Sequence, residues 1–339
     1  MALRFCDGFD HYATADLLKK WNDRGNNEAL GGGRFGNGLQ ILNTNWYVGK
    51  YLTPHATWII GFAVYFSPVV GTGNTWFRIQ DDGTVQVSVY MDSNGRLTFT
   101  RNGTYLGVAS TVFRSYSWYY VEIKVTIDNS NGAIAMRVNG VGDTITFSTG
   151  TATTQDTQYT ANATANRVYF VGTSVGSTIV IDDLYICDGS GAANNDFLGD
   201  IRVQTILPSA DGGTNEWTAS ANSRYQCVDD PTPDSVTDYI SEDTAGQKNT
   251  FAFGNVTPTS GTVKGVATYI AARKDDAGSR SIAPVYGNGT PASDVDGATV
   301  SVGDSYIYYS EIKEQDPVAA ADWTIASVNA AEFGVKLVS

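Results

Sequence analysis

Histidine and cysteine are scarce in this chain of 339 residues, with two of the first and three of the second. Cysteines scattered at Cys6, Cys187 and Cys227 build neither a disulfide framework nor a zinc site. Buried thiols are the plain expectation. A pairing of Cys6 with Cys187 stays open, because both fall on strands at the ends of one domain. His11 and His55 leave little for histidine-based catalysis, and His55 follows Pro54 at a turn before a strand. Cationic residues number 22 against 35 acidic ones, a formal charge of −13. Phosphate backbones and anionic lipid surfaces both call for lysine and arginine, so neither nucleic acid nor a membrane surface is an expected partner. No apolar run approaches the roughly 20 residues that cross a bilayer, so no membrane insertion is expected. The opening residues, MALRFCDGFDHY, show no basic stretch followed by an apolar one, and no export signal is expected. Helix-forming composition is thin too. What is plentiful is glycine, at 36 residues, with threonine, serine and 12% aromatics, which together favour an all-β protein with a real core.

The stretch 75–128 sets the fold class. Asp82-Gly83, Asn94-Gly95 and Asn102-Gly103 tolerate the positive φ of tight hairpins. Between them Val85, Val87 and Val89 alternate with Gln86 and Ser88, and Leu97 and Phe99 with Thr98 and Thr100. Tyr119, Val121, Ile123, Val125 and Ile127 then alternate with Tyr120, Glu122, Lys124, Thr126 and Asp128. Period two predicts strands with one buried and one polar face, hence an antiparallel meander that a second sheet must cover. Thr57 to Phe66, the most apolar run, reads as a central strand, and Thr14 to Trp21 as a short helix. Residues 148–165 read as an exposed loop.

The length implies two domains. Gly189-Ser190-Gly191, followed by Asn194-Asn195-Asp196, marks the boundary and gives domains of 1–190 and 191–339. In the second, strands are predicted over 199–208, 263–274, 281–286 and 306–312, with a short helix from Trp323-Thr324. These fit a smaller β-sandwich of fibronectin or jelly-roll kind.

Gly31-Gly32-Gly33 lies between loop and strand, without the following helix that a phosphate loop needs. Glu122 and Asp128 are six residues apart on one strand face, roughly 20 Å, too far to flank one glycosidic bond. Asp182 and Asp183, being adjacent, are expected on opposite faces, and Glu311 and Glu314 also differ in parity. The acidic runs at Asp81-Asp82, Asp92 and Asp294 to Asp296 suit hairpin turns better than calcium. Trp46, Trp58, Trp76 and Trp118 have the flat faces that stack on sugars, yet Trp58 and Trp118 sit in the most apolar strands and are expected in the core. No catalytic residue, metal ligand or cofactor is therefore assigned, and no binding residue can be named. The expectation is that the protein is not an enzyme.

Phe5-Cys6-Asp7-Gly8-Phe9-Asp10, the hairpin from Asp92 to Phe99, Trp118 to Lys124 and Ile179 to Tyr185 resemble a concanavalin A-like or laminin-G-like jelly roll over residues 1–190. Asp196-Phe197-Leu198-Gly199-Asp200-Ile201-Arg202-Val203, Leu207 to Gly212, Glu216-Trp217, Ala271 to Asp275 and Trp323 to Val335 resemble structural proteins of tailed bacteriophages. The resemblance implies a virion component of tail or head, docking on other virion proteins in a homo-oligomer or symmetric array, with host glycan as a further partner. A glycan-binding adhesin and a polysaccharide depolymerase are the alternatives.

Overall fold

The computed structural model describes residues 2–25, 28–42, 46–68, 75–173, 177–234 and 236–339. The chain is all-β: a concanavalin A-like jelly-roll sandwich followed by a smaller β-sandwich. It divides into two compact units, Met1–Val203 and Gln204–Ser339.

The first unit faces one eight-stranded antiparallel sheet with another. The back sheet runs in the order Val141–Gly142, Ala133–Val138, Trp118–Thr126, Thr57–Ser67, Thr178–Asp188, Leu39–Ile41 and Ala29–Leu30, with Leu3–Asp7 also paired to Thr178–Asp188. The front sheet runs Ile145–Phe147, Thr104–Val112, Arg96–Arg101, Thr84–Met91, Thr75–Asp81, Ala165–Val171, Tyr47–His55 and Asp23–Arg24. The expected meander holds from Thr75 to Val112. Trp118–Thr126 departs from it and joins the back sheet. Its chain turns at Tyr116, where φ is +63° and the backbone N–H donates to the Phe66 carbonyl at 2.9 Å. Alternation marks a strand but is blind to which sheet receives it.

Thr57–Ser67 is central, hydrogen-bonded on both edges, as its apolar run requires. Its Phe62 meets the Phe170 ring edge-on at 5.2 Å and the Trp76 ring at 5.8 Å, joining the two sheets. Each such buried ring contributes about 2–3 kcal/mol. The short helix is a 3-10 turn over Thr14–Asp16 running into Leu17–Lys20. It delivers Lys20 to a buried ion pair with Asp7 at 2.9 Å. Tyr12 and Trp21 also donate to that carboxylate, at 2.7 and 2.9 Å, so the buried charge is fully partnered. Cys187 stands opposite Leu3 and Cys6 opposite Tyr185, so the two thiols lie on paired strands out of register and form no disulfide.

The domain boundary expected at 190 lies later. Residues 191–203 belong to the first unit, where they lie along the outer face of the back sheet, and 201–207 form no strand. The second unit is a six-stranded sheet of Pro208–Asn215, Lys248–Phe253, Glu332–Leu337, Arg280–Gly287, Val295–Asp296 and Val300–Val302. A ribbon of Val266–Ala272 and Ile307–Lys313 packs Ile270, Ala272 and Tyr309 on Ile282, Val302 and Leu337. Thr324 caps the helix Ile325–Ala330, accepting from the Ser327 N–H at 3.0 Å while Ser327 Oγ accepts from the Thr324 N–H at 2.9 Å.

Candidate functional site: the open face of the front sheet

Strand register lays one row of residues across the front sheet. Thr100 stands opposite Ser88, Ser88 opposite Arg78, Arg78 opposite Tyr169, Tyr169 opposite Gly49 and Gly49 opposite Asp23. Their alternating neighbours Phe99, Val89, Phe77 and Phe170 are buried in the core, so this row points outward. Five inter-strand spacings make it about 24 Å long. A groove of about 750 Å³ lies over its Thr100–Ser88–Arg78 half, lined by Thr75, Arg78, Ser88, Tyr90, Asp92, Thr100 and Asn102 among others.

At one end the sheet carries a tyrosine cluster. Gly49 makes room for it: a Cβ there would sit 2.2 Å from Cε2 of Tyr169, whose ring lies flat across the strand. Tyr47 stacks on Tyr169 at 5.1 Å. The Tyr169 hydroxyl donates to Asp23, which also pairs with Arg167 at 3.2 Å, and the Arg167 guanidinium lies 4.0 Å from the centre of the Tyr51 ring. Burial, with the Asp23 carboxylate second, pushes the Tyr169 phenol well up, so it stays protonated as a donor.

In the middle of the row Arg78 is half-buried and makes no hydrogen bond or ion pair among the described residues. Burial draws its pKa down, opposed by the neighbouring Tyr169. The groove's carboxylate, Asp92, is already committed. Its Oδ1 accepts from the Asn94 and Arg96 N–H groups at 2.8 and 2.9 Å, and its Oδ2 pairs with the Arg96 guanidinium at 2.8 Å. Ser88 and Thr100 share a hydrogen bond of 2.7 Å and present hydroxyls along the floor. The arrangement can stack flat rings, hydrogen-bond hydroxyl groups and receive one anion.

The outer face of the back sheet is the opposite case, being covered. Gly199 N–H donates to Glu122 at 2.8 Å, Leu198 N–H to the Tyr185 hydroxyl at 3.2 Å and Val203 N–H to Asp183 at 2.8 Å. Tyr185 donates to Glu122 at 2.5 Å, Lys124 pairs with Asp196 at 3.1 Å, and Arg137 stacks on Phe197 at 4.6 Å. Glu122 and Tyr120, expected on a solvent face, are thus buried at 0% and 1% exposure. Asp182 and Asp183 do not split across the sheet either. Asp183 has φ +50° in a bulge, and both carboxylates sit beside the loop at Arg34. Burial pushes Asp182 up to about 7 and Asp183 to about 6. Exposures of 0% and 1% keep both from any substrate.

The other acids have structural work. Asp128 accepts from Ser130 and Asn131 N–H groups in its own turn, and Glu311 binds the Tyr286 hydroxyl at 2.9 Å and Lys313 at 2.9 Å. Asp81 accepts from Thr160 and Asn162, Asp294 from Thr214, and Asp296 pairs with Lys248 and Lys336. Asp230, Asp234 and Asp238 of the second unit bring ligand atoms within 4.8 Å of one another, a cluster that no sequence spacing suggested. Of the tryptophans, Trp58 is buried as expected. Trp76 is fully buried, whereas Trp118, expected in the core, is half-buried against Tyr65 at 5.5 Å. Trp118 belongs to the even, outward-facing set of its strand, which apolar content masked. Arg78, Tyr169 and Tyr47 escaped the sequence reading. The available signal was Gly49 inside a strand, flanked by Tyr47 and Tyr51 at period two.

No family model and no curated protein matches this chain. Solved structures similar to it include an alginate lyase, at 14% identity over 55% of this chain and 96% of that one with a TM-score of 0.36. Lectin I from Ulex europaeus, solved with the methyl glycoside of α-L-fucose, is similar at 12% identity over 54% and 97%, TM-score 0.37. The catalytic domain of the glycoside hydrolase family 131 protein from Coprinopsis cinerea is similar at 11% identity over 59% and 99%, TM-score 0.36. At these identities the likeness describes the sandwich alone. It does overturn one expectation. A lyase and a hydrolase domain share this kind of sandwich, so the exclusion of enzymatic activity does not stand.

Proposed function

We propose that the protein binds glycan, and that the open face of the front sheet is its recognition surface. The observation that carries the reading is the groove of about 750 Å³ over Arg78, Ser88 and Thr100, part of an outward row that continues for about 24 Å (five strand spacings) to the tyrosine cluster. A flat, extended floor of short hydroxyls suits a chain ligand lying across the strands. Tyr90 supplies a ring that stacks on sugar C–H faces while its hydroxyl hydrogen-bonds, and Tyr51, whose hydroxyl is held by Asp23 and Arg167, adds exposed ring surface. In a virion, a role that rests on the resemblance of the C-terminal motifs to phage proteins, this face would meet host surface polysaccharide. The second unit would then dock on other virion proteins in a symmetric array.

The test is binding of the full chain to a panel of bacterial surface polysaccharides, with Tyr90→Ala and Tyr51→Ala beside the wild type. Saturable binding that each substitution weakens about fivefold or more supports the reading, because stacking pairs contribute about 1 kcal/mol. Binding unaffected by either substitution would move the site elsewhere. The same incubations are assayed for new reducing ends and unsaturated ends, which decides between capture and depolymerisation.

A further inference from the structure

This inference rests on the glycan reading of the front face and narrows it. We infer that the groove selects glycans with an isolated carboxylate, a single uronic acid among neutral sugars, and that Arg78 receives it. A half-buried guanidinium without a counter-charge among the described residues has lost water without gaining an ion pair there, a state that a bound carboxylate relieves through two parallel hydrogen bonds. The other arginines near this sheet are spent: Arg167 on Asp23, Arg96 on Asp92 and Arg101 on Asp156. Asp92, the carboxylate in the groove, is held by its own turn and offers Arg78 nothing. Among the described residues one cation is therefore available where the rest of the lining, apart from the paired Asp92, is neutral and, at Ser88, Thr100, Thr75 and Asn102, suited to sugar hydroxyls.

The position of that cation matters as much as its number. Arg78 stands mid-row, with Ser88 and Thr100 on one side and Tyr169 on the other. Neutral hydroxyls thus flank it on the Ser88 and Thr100 side, and on the other the Tyr169 phenol stands before the paired charges of Asp23 and Arg167. The formal charge of −13 works against a continuous polyanion, whose successive charges would meet an acidic protein. An acidic repeat with widely spaced carboxylates avoids that cost and still satisfies Arg78.

The experiment uses the full chain and several acidic bacterial heteropolysaccharides, each in native and carboxyl-reduced form, with polygalacturonate as the continuous polyanion. Wild type is expected to bind a native heteropolysaccharide about tenfold or more tightly than its reduced form. Arg78→Gln should bind both forms alike, at the level of wild type with the reduced one. Arg78→Lys, which keeps the charge but not the planar fork, should fall between them and carries the comparison if Arg78→Gln fails to fold. Equal wild-type binding to native and reduced forms overturns the carboxylate assignment while leaving glycan binding in place. Tightest binding to polygalacturonate overturns the isolated-charge part. No binding to any polymer overturns this inference together with the reading beneath it.

Discussion

Each sheet of the jelly roll lays a tyrosine ring across a glycine on its outer face, and the two have opposite surroundings. On the back sheet Tyr185 lies over Gly61, where a Cβ would come within 2.0 Å of Cε1. It is locked by Glu122 and sealed by the backbone of Leu198 and Gly199. On the front sheet Tyr169 lies over Gly49 in the same way, held by Asp23, but nothing among the described residues roofs the groove that Arg78 shares. The same local device is sealed under a backbone segment in one place and stands next to an open groove in the other. What separates the two is the segment 196–203, which the chain spends on one face only.

That comparison can be broken by substitution. Gly61→Ala should be the most damaging, about 3 kcal/mol in chemical denaturation, because Tyr185 has no room to yield. Glu122→Ala removes the acceptor for both Tyr185 and Gly199 and should cost about 2 kcal/mol, with faster amide exchange at 198–203. Gly49→Ala makes a similar clash of 2.2 Å, but no backbone segment among the described residues seals Tyr169 as Leu198 and Gly199 seal Tyr185, so about 1 kcal/mol is expected. Equal costs at the two glycines would mean that the front face is as closed as the back.

The buried acids sharpen the contrast by pH. Asp182 and Asp183 have folded-state values raised from 3.8 to about 7 and about 6, with burial as the first cause. A raised acid favours the neutral folded form. Its contribution is present below the unfolded value and is lost as pH climbs through the folded one. Stability should therefore decline between about pH 4 and pH 7 relative to an Asp182→Asn Asp183→Asn variant, whose profile loses this slope. The smallest effect is expected at the front. Arg78→Gln breaks no ion pair, so its unfolding free energy should stay within about 0.5 kcal/mol of wild type.

Much of this architecture was legible. Asp82-Gly83 and Asn102-Gly103 turn where the sequence placed turns, each with positive φ, and the apolar run at Thr57 became the central strand. Period-two patterning fails at one particular step. It reports that Glu122 and Lys124 point away from the core, but not that residues 196–203 will cover Glu122 and leave Lys124 half-buried. The site suffered from the same blindness. Arg78, Ser88 and Thr100 are scattered over 23 positions, and only strand register makes them neighbours. Trp118 drew attention by its strand, whereas Tyr169 acts through a glycine on another one.

The most direct measurement is hydroxyl-radical footprinting of the full chain, read tyrosine by tyrosine, with and without a bound polysaccharide. The account predicts that Tyr51 and Tyr90 are labelled in the free protein and protected when glycan binds, while Tyr120 and Tyr185 stay unlabelled in both states. Protection confined to Tyr65, Tyr116 and Trp118, or labelling of Tyr185 in the free protein, would contradict it.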